Sequence, residues 1–192
     1  NEGGGKVMVD DGLFEKYPVE AVFGMHNIPG MPVGSFAVKP GPFMASFDIF
    51  NLKIIGKGGH AAMPQTTIDP IIIGTKIVDA YQSIVSRYID PQEPVVLSVT
   101  QFHGGDAYNV IPNEIEIKGT VRCFSTKVQA SIEKQMENLT SSICSAYGAT
   151  YEFEYQHRYP PTINSAEEVE TSLKVMNEIS DESMINTSVS YT

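Results

Sequence analysis

From residue 46 the chain begins to alternate. In SFDIFNLKIIGK (46–57) apolar and polar positions exchange places with the two-residue period of a strand that buries one face. A glycine-rich stretch follows, and Asp69-Pro70 then predicts a helix start. Aspartate can accept from an orphan backbone N–H there, and proline suits the first helical position. Ile73, Ile77, Ala80, Ile84 and Tyr88 recur at helical spacing, with Tyr81 and Val85 widening the stripe. VVLSVTQF (95–102) reads as a β-branched strand. EIEIKGTVRCF (114–124) reads as a strand with Glu and Lys on one face and Ile and Gly on the other. Ser125 stands where it can cap the next helix, whose stripe is Val128, Ile132, Met136, Leu139 and Ile143, and Gly148 fits the position beyond its end. TYEFEYQHRY (150–159) alternates once more before Pro160-Pro161 breaks the chain.

The order over residues 46–157 is therefore β-α-β-β-α-β. That is the ferredoxin-like arrangement, one sheet with two helices on a single face, and it makes the chain α+β. The flanks, 1–45 and 158–192, do not belong to it. Gly3 to Gly5 lead into KVMVDDGLFEKYP, read as one short helix closed by Pro18. VEAVFGMH (19–26) is an apolar run expected to form a buried strand, and SFAVKPGP a brief strand ended by Pro40 and Pro42. SAEEVETSLKVMNEI is a helix with an acidic start. The chain opens on NEGGGK and closes on SVSYT, which reads as a piece of a longer protein.

Composition narrows the partners. The 192 residues carry 13 Lys plus Arg against 23 Asp plus Glu, a formal net charge of −10. Phosphate backbones and anionic membranes select the opposite balance, so nucleic acid and membrane are not expected partners. Two cysteines, Cys123 and Cys144, make no disulfide framework and no CxxC metal spacing. No apolar run reaches the roughly 18 residues of a membrane span, and no signal stretch opens the chain. The expectation is a reduced, cytoplasmic protein.

Four histidines can each be weighed. His26 closes the apolar run before NIPG; it is either a ligand group at a strand end or a histidine bonded to backbone. His60 ends GKGGH. It is either a donor delivered by closely approaching backbone or an exposed residue of a flexible hairpin. His103 and His157 read as strand-end surface residues. Asn109, in DAYNVIP, and Arg122, on the strand after it, together suit a carboxylate, although Arg122 alone fits a solvated strand face equally well.

Taken together, VFGMHNIPG, GKGGHAAMP, DAYNVIPNEIEIKGTVRCF and YPPTIN resemble the hippurate hydrolase and N-acyl-amino-acid amidohydrolase branch of the dinuclear-metal aminoacylase–carboxypeptidase family. The resemblance runs over the whole chain. It implies a ferredoxin-like lid and dimerisation domain inserted in an α/β catalytic domain, with 1–45 and 158–192 as pieces of the latter. His26 would then be a metal ligand. His60 would be the catalytic and substrate-contacting histidine, commonly serving the partner subunit's site, and Asn109 and Arg122 would hold the substrate end. Two divalent ions are implied in the full enzyme, of zinc, manganese or cobalt type. The family's paired glutamates would fall just before Asn1, making Glu2 a spacer, and its other ligands lie outside the chain. A chain with one such ligand is expected to bind little or no metal and to catalyse nothing alone.

The implied substrate is a small N-acyl amino acid or peptide, and the implied assembly a homodimer through the inserted domain. VVLSVTQF carries neither charge nor proline, so as an edge strand it would invite pairing. Ile71, Ile72, Tyr81 and Tyr88 would add helix surface to that interface. The competing reading is a non-catalytic ferredoxin-like module for ligand binding or dimerisation.

Overall fold

The computed structural model describes residues 4–189; Glu2, the expected spacer, lies outside them. The chain divides into two compact units, Ser46–Pro160 and the segments on either side of it. In the flanking unit α1 (Gly4–Asp10) and α2 (Leu13–Lys16) replace the single expected helix. They are split at Gly12, whose φ of 83° leaves the helical region. Residues 19–26 form no strand: Val19, Val22, Phe23 and Met25 are exposed, and no neighbouring strand pairs with them among the described residues. An apolar run becomes a strand only where another backbone takes up its N–H and C=O groups. β1 (Phe36–Ala37) and β2 (Gly41–Met44) follow, with Pro42 inside β2 next to an irregularity in register, a place where a missing N–H is tolerated.

The central unit begins with β3 (Phe47–Ile55) and the short β4 (Gly59–His60), then α3 (Pro70–Ser83). The Asp69 carboxylate accepts from Ile71 N–H at 2.9 Å, the cap its sequence predicts. Ile84–Tyr88 is a wider π-type turn, which rotates Tyr88 out of the stripe to 54% exposure. Next come β5 (Val95–His103), β6 (Val110–Ile111), β7 (Glu114–Cys123), α4 (Thr126–Tyr147) and β8 (Thr150–Tyr159). β9 (Thr162–Asn164), α5 (Ala166–Ile179) and β10 (Ile185–Asn186) return to the flanking unit, where β9 pairs with β2 and β10 with β1. Ser125 sits at the start of α4 without the side-chain cap expected of it, and Gly148 ends that helix at φ 72°.

The strands of the central sheet run β5-β7-β3-β8, all antiparallel, so β5 and β8 are the edges. Alternation decides which face is buried. Phe50, Leu52 and Ile54 of β3 and Ile115, Ile117 and Val121 of β7 pack against Ile73, Ile77 and Tyr81 of α3 and Ile132 and Met136 of α4. Each such side chain stabilises the fold by about 1.5–3 kcal/mol relative to exposure. Tyr81 is fully buried in this core, its hydroxyl 2.7 Å from Thr140 Oγ1, so it cannot serve a second surface. Its burial raises its pKa well above the ordinary phenol value.

One charged group breaks the apolar face. Asp48 is fully buried, yet both carboxylate oxygens are used: Gln129 Nε2 donates to Oδ1 at 2.7 Å and the Tyr155 hydroxyl to Oδ2 at 2.8 Å. His157, expected at a strand-end surface, lies within β8 with Nδ1 3.5 Å from Asp48 and Nε2 3.0 Å from Glu133. Burial, then the adjacent Asp48 charge, hold the Tyr155 hydroxyl far above its usual pKa. Asp48→Ala should cost about 3 kcal/mol in urea unfolding, since it strands the buried Gln129 amide and the half-buried Tyr155 hydroxyl. Asp48→Asn, which keeps an acceptor, should cost less. Equal losses would show that packing and not hydrogen bonding is what Asp48 supplies.

Candidate substrate-facing site

The stretch GKGGH does not end in a free loop. β4 pairs antiparallel with β6, Gly59 opposite Ile111 and His60 opposite Val110, and Ala61 N–H donates to the Asn109 carbonyl at 3.0 Å. Lys57 and Ile68 exchange two backbone bonds of 2.9 Å on the other side. The ribbon continues the β3–β7 ladder beyond its last pair, Ile55 with Glu114. It joins two motifs some fifty positions apart, and sequence periodicity could not find it because both strands are two residues long.

The glycines serve this packing. A Cβ on Gly56 would lie 2.2 Å from the Ile68 carbonyl oxygen, and one on Gly58 2.5 Å from that of Ile111. None of Gly56, Gly58 and Gly59 has a positive φ. Their role is close approach of backbone to backbone, not the left-handed conformation that the sequence also allowed.

His60 is exposed at the end of this ribbon, and Ala62 N–H donates to its Nδ1 at 3.1 Å. A nitrogen that accepts carries no proton, so the neutral ring holds its proton on Nε2 and can donate from there. Asn109 is also exposed, and beside it the Tyr108 ring is fully exposed, an aromatic whose display no sequence pattern signals.

Arg122 is elsewhere. It lies near the far end of β7, on the face opposite the helices, with its guanidinium carbon 4.1 Å from the centre of the Phe47 ring. Phe47 in turn stacks on Tyr159 at 6.0 Å. From Glu114, where the ribbon begins, β7 alone carries the chain roughly 26 Å to Arg122 at about 3.3 Å per residue. Within the chain the structure brings His60 and Asn109 together but does not bring Arg122 to them.

His26 belongs to the flanking unit and is exposed. Its Nδ1 lies 2.6 Å from the Asn27 carbonyl oxygen. Because a carbonyl can only accept, Nδ1 is the protonated nitrogen and Nε2 keeps a free lone pair. Metal-ligating histidines are commonly oriented in this way. The two rings thus have opposite tautomers, His26 offering an acceptor and His60 a donor. No group of three or more His, Cys, Asp or Glu side chains is placed to share a metal ion among the described residues. His103 ends β5 at the surface, and both cysteines are free and buried. No described helix is long and apolar enough to cross a membrane.

The profile of peptidase family M20/M25/M40 matches residues 1–192. An N-acyl-L-amino acid amidohydrolase of Geobacillus stearothermophilus is 47% identical over 162 residues, covering 84% of this chain and 43% of the relative. Thermostable carboxypeptidase 2 of Saccharolobus solfataricus is 40% identical over 179 residues, covering 93% and 45%. Among solved structures, a dinuclear metal binding peptidase of the M20 family from Bacillus subtilis superposes with a TM-score of 0.75 at 28% identity, covering 100% of this chain and 46% of that one. The chain spans less than half the length of these relatives.

Proposed function

The chain belongs to peptidase family M20/M25/M40, and from that membership we propose that it forms the substrate-covering part of an enzyme that hydrolyses the amide bond of N-acyl amino acids or small peptides. The single observation that carries this reading is the β4–β6 ribbon, which fixes an exposed histidine with its Nε2–H left to donate. Such a donor suits the oxyanion of a tetrahedral intermediate. Asn109, on the same ribbon, would contact the substrate beside it. Arg122 would read a free carboxylate, its guanidinium presenting a planar fork.

In this reading residues 46–157 are a ferredoxin-like lid inserted in a catalytic domain to which the flanking segments, 1–45 and 158–192, belong. Support comes from the strand order β5-β7-β3-β8 with both helices on one face, and from the separation of the two units. His26 would contribute its Nε2 to a site for divalent ions of zinc, manganese or cobalt type, which the described residues do not complete. When bound, such ions make a water nucleophilic near neutral pH. The 192 residues alone would therefore be inactive. A homodimer would form through β5, an edge whose residues Val95–Phe102 include neither charge nor proline. Tyr81 takes no part in it because it is buried, whereas Ile72 and Tyr88 stay exposed. A cytoplasmic location completes the reading.

The test uses matched substrates. In the full-length enzyme, Arg122→Ala should raise KM for N-acyl amino acids about tenfold or more, and leave their neutral carboxamides nearly unaffected, because only the acid loses a charge-assisted hydrogen bond. Equal losses for acid and amide would remove Arg122 from the carboxylate. Failure of the wild-type enzyme to hydrolyse either series would remove the amidohydrolase reading itself.

A further inference from the structure

The ribbon is not held by strand pairing alone. Asn113, two residues beyond β6, meets the glycine stretch twice. Its backbone carbonyl accepts from Gly56 N–H at 2.8 Å, and its side-chain Oδ1 accepts from Gly58 N–H at 3.0 Å. One residue thereby clamps both ends of the Gly56–Gly58 segment, which only Gly59 separates from His60. The fit leaves no slack: a Cβ on Gly58 would approach Asn113 Oδ1 to 3.0 Å and the Pro112 carbonyl carbon to 3.0 Å. Past the clamp, the chain must turn so that Ala62 N–H reaches His60 Nδ1, the contact that keeps the ring proton on Nε2. An amide side chain suits this place because its oxygen can accept from the Gly58 N–H.

We propose that Asn113 is a positioning residue for His60, setting through the Gly58 bond the backbone path that fixes the imidazole's orientation and its Nε2–H tautomer. The proposal rests on His60 acting as the donor described above. Asn113 itself touches no reacting atom. It acts by holding a short ribbon whose own pairing spans only two residues on each side. Geometry of this kind has large consequences, since a displacement of about 1 Å in a reacting group can cost a hundredfold in rate.

The first measurement uses the chain itself and needs no substrate. Imidazole nitrogen NMR of the 192-residue protein should show His60 with an unprotonated Nδ1 and a protonated Nε2. In Asn113→Ala that single-tautomer pattern should give way to a mixture, while circular dichroism and the unfolding midpoint stay close to wild type. Asn113→Asp, which keeps an acceptor oxygen, should restore the pattern. Gly58→Ala, which forces the same clamp open, should reproduce the mixture should Asn113→Ala fail to fold. A folded Asn113→Ala protein with the wild-type His60 spectrum would overturn the proposal.

The second measurement is a double-mutant cycle in the full-length enzyme. Asn113→Ala should lower kcat about tenfold to a hundredfold with little change in KM. In a His60→Ala background it should do almost nothing further, because coupled residues are not additive. Full additivity would overturn the proposal. If His60→Ala alone leaves kcat unchanged, the donor reading of His60 fails, and the spectra still decide whether Asn113 sets the ring.

Discussion

His60→Ala in the full-length enzyme is expected to lower kcat by about 10²–10³-fold while KM and metal content stay near wild type. Three features set that expectation. The imidazole is exposed at the tip of a ribbon tied on both sides by backbone hydrogen bonds, so it is displayed without being loose. Its Nδ1 already accepts from Ala62 N–H, so in the neutral ring the remaining nitrogen carries the proton and is available to donate. A donor aimed at charge that develops only in the transition state affects kcat and not ground-state binding. His60→Gln, whose side-chain amide can also donate, should recover part of the loss. Metal content falling in step with activity in His60→Ala would make the residue a ligand instead. A kcat equal to wild type would reduce the ribbon to scaffold.

How much of this was legible before the structure depends on length scale. The central strands and helices announce themselves because alternation or helical spacing persists over nine residues or more, as in β3 and β7 with their strictly alternating burial. Asp69-Pro70 marks its helix start by local chemistry alone. Short or context-dependent features do not. The run 19–26 has the composition of a strand but no neighbour to pair with among the described residues. Asp48 shares the parity of Phe50, Leu52 and Ile54, so alternation puts it on the apolar face without showing what would satisfy a carboxylate there. Only the placement of Gln129 and Tyr155, both more than eighty positions away, makes it a buried acceptor. His60 and Asn109 stand out as motif residues, but that they share one ribbon is a non-local fact. Asn113 carries no sequence signal beyond standing three residues after Val110, and its role exists only through its contact with Gly58.

The same geometry leads to the second large effect. Arg122 and the His60–Asn109 ribbon are separated by the length of β7, so one small substrate cannot touch both within a protomer. If both act on the same N-acyl amino acid, the ribbon must come from one copy and the arginine from another. A two-fold axis through an edge-to-edge β5 pair could supply that arrangement, since it turns the ends of the two sheets in opposite directions. His60→Ala and Arg122→Ala homodimers should each be severely impaired on free-acid substrates. Mixed under subunit exchange, half of the dimers would be heterodimers. Each heterodimer would hold one site with both native side chains and one with neither. The mixture should therefore regain roughly a quarter of wild-type activity, the statistical limit for a two-fold assembly with shared sites. A mixture no more active than the mean of its parents would place both residues' effects within single protomers, and the shared-site reading would fall. Recovery lost when Val96→Asp adds a charge to β5 would locate the exchange at that edge. Recovery that survives the charge would move the two-fold to another surface.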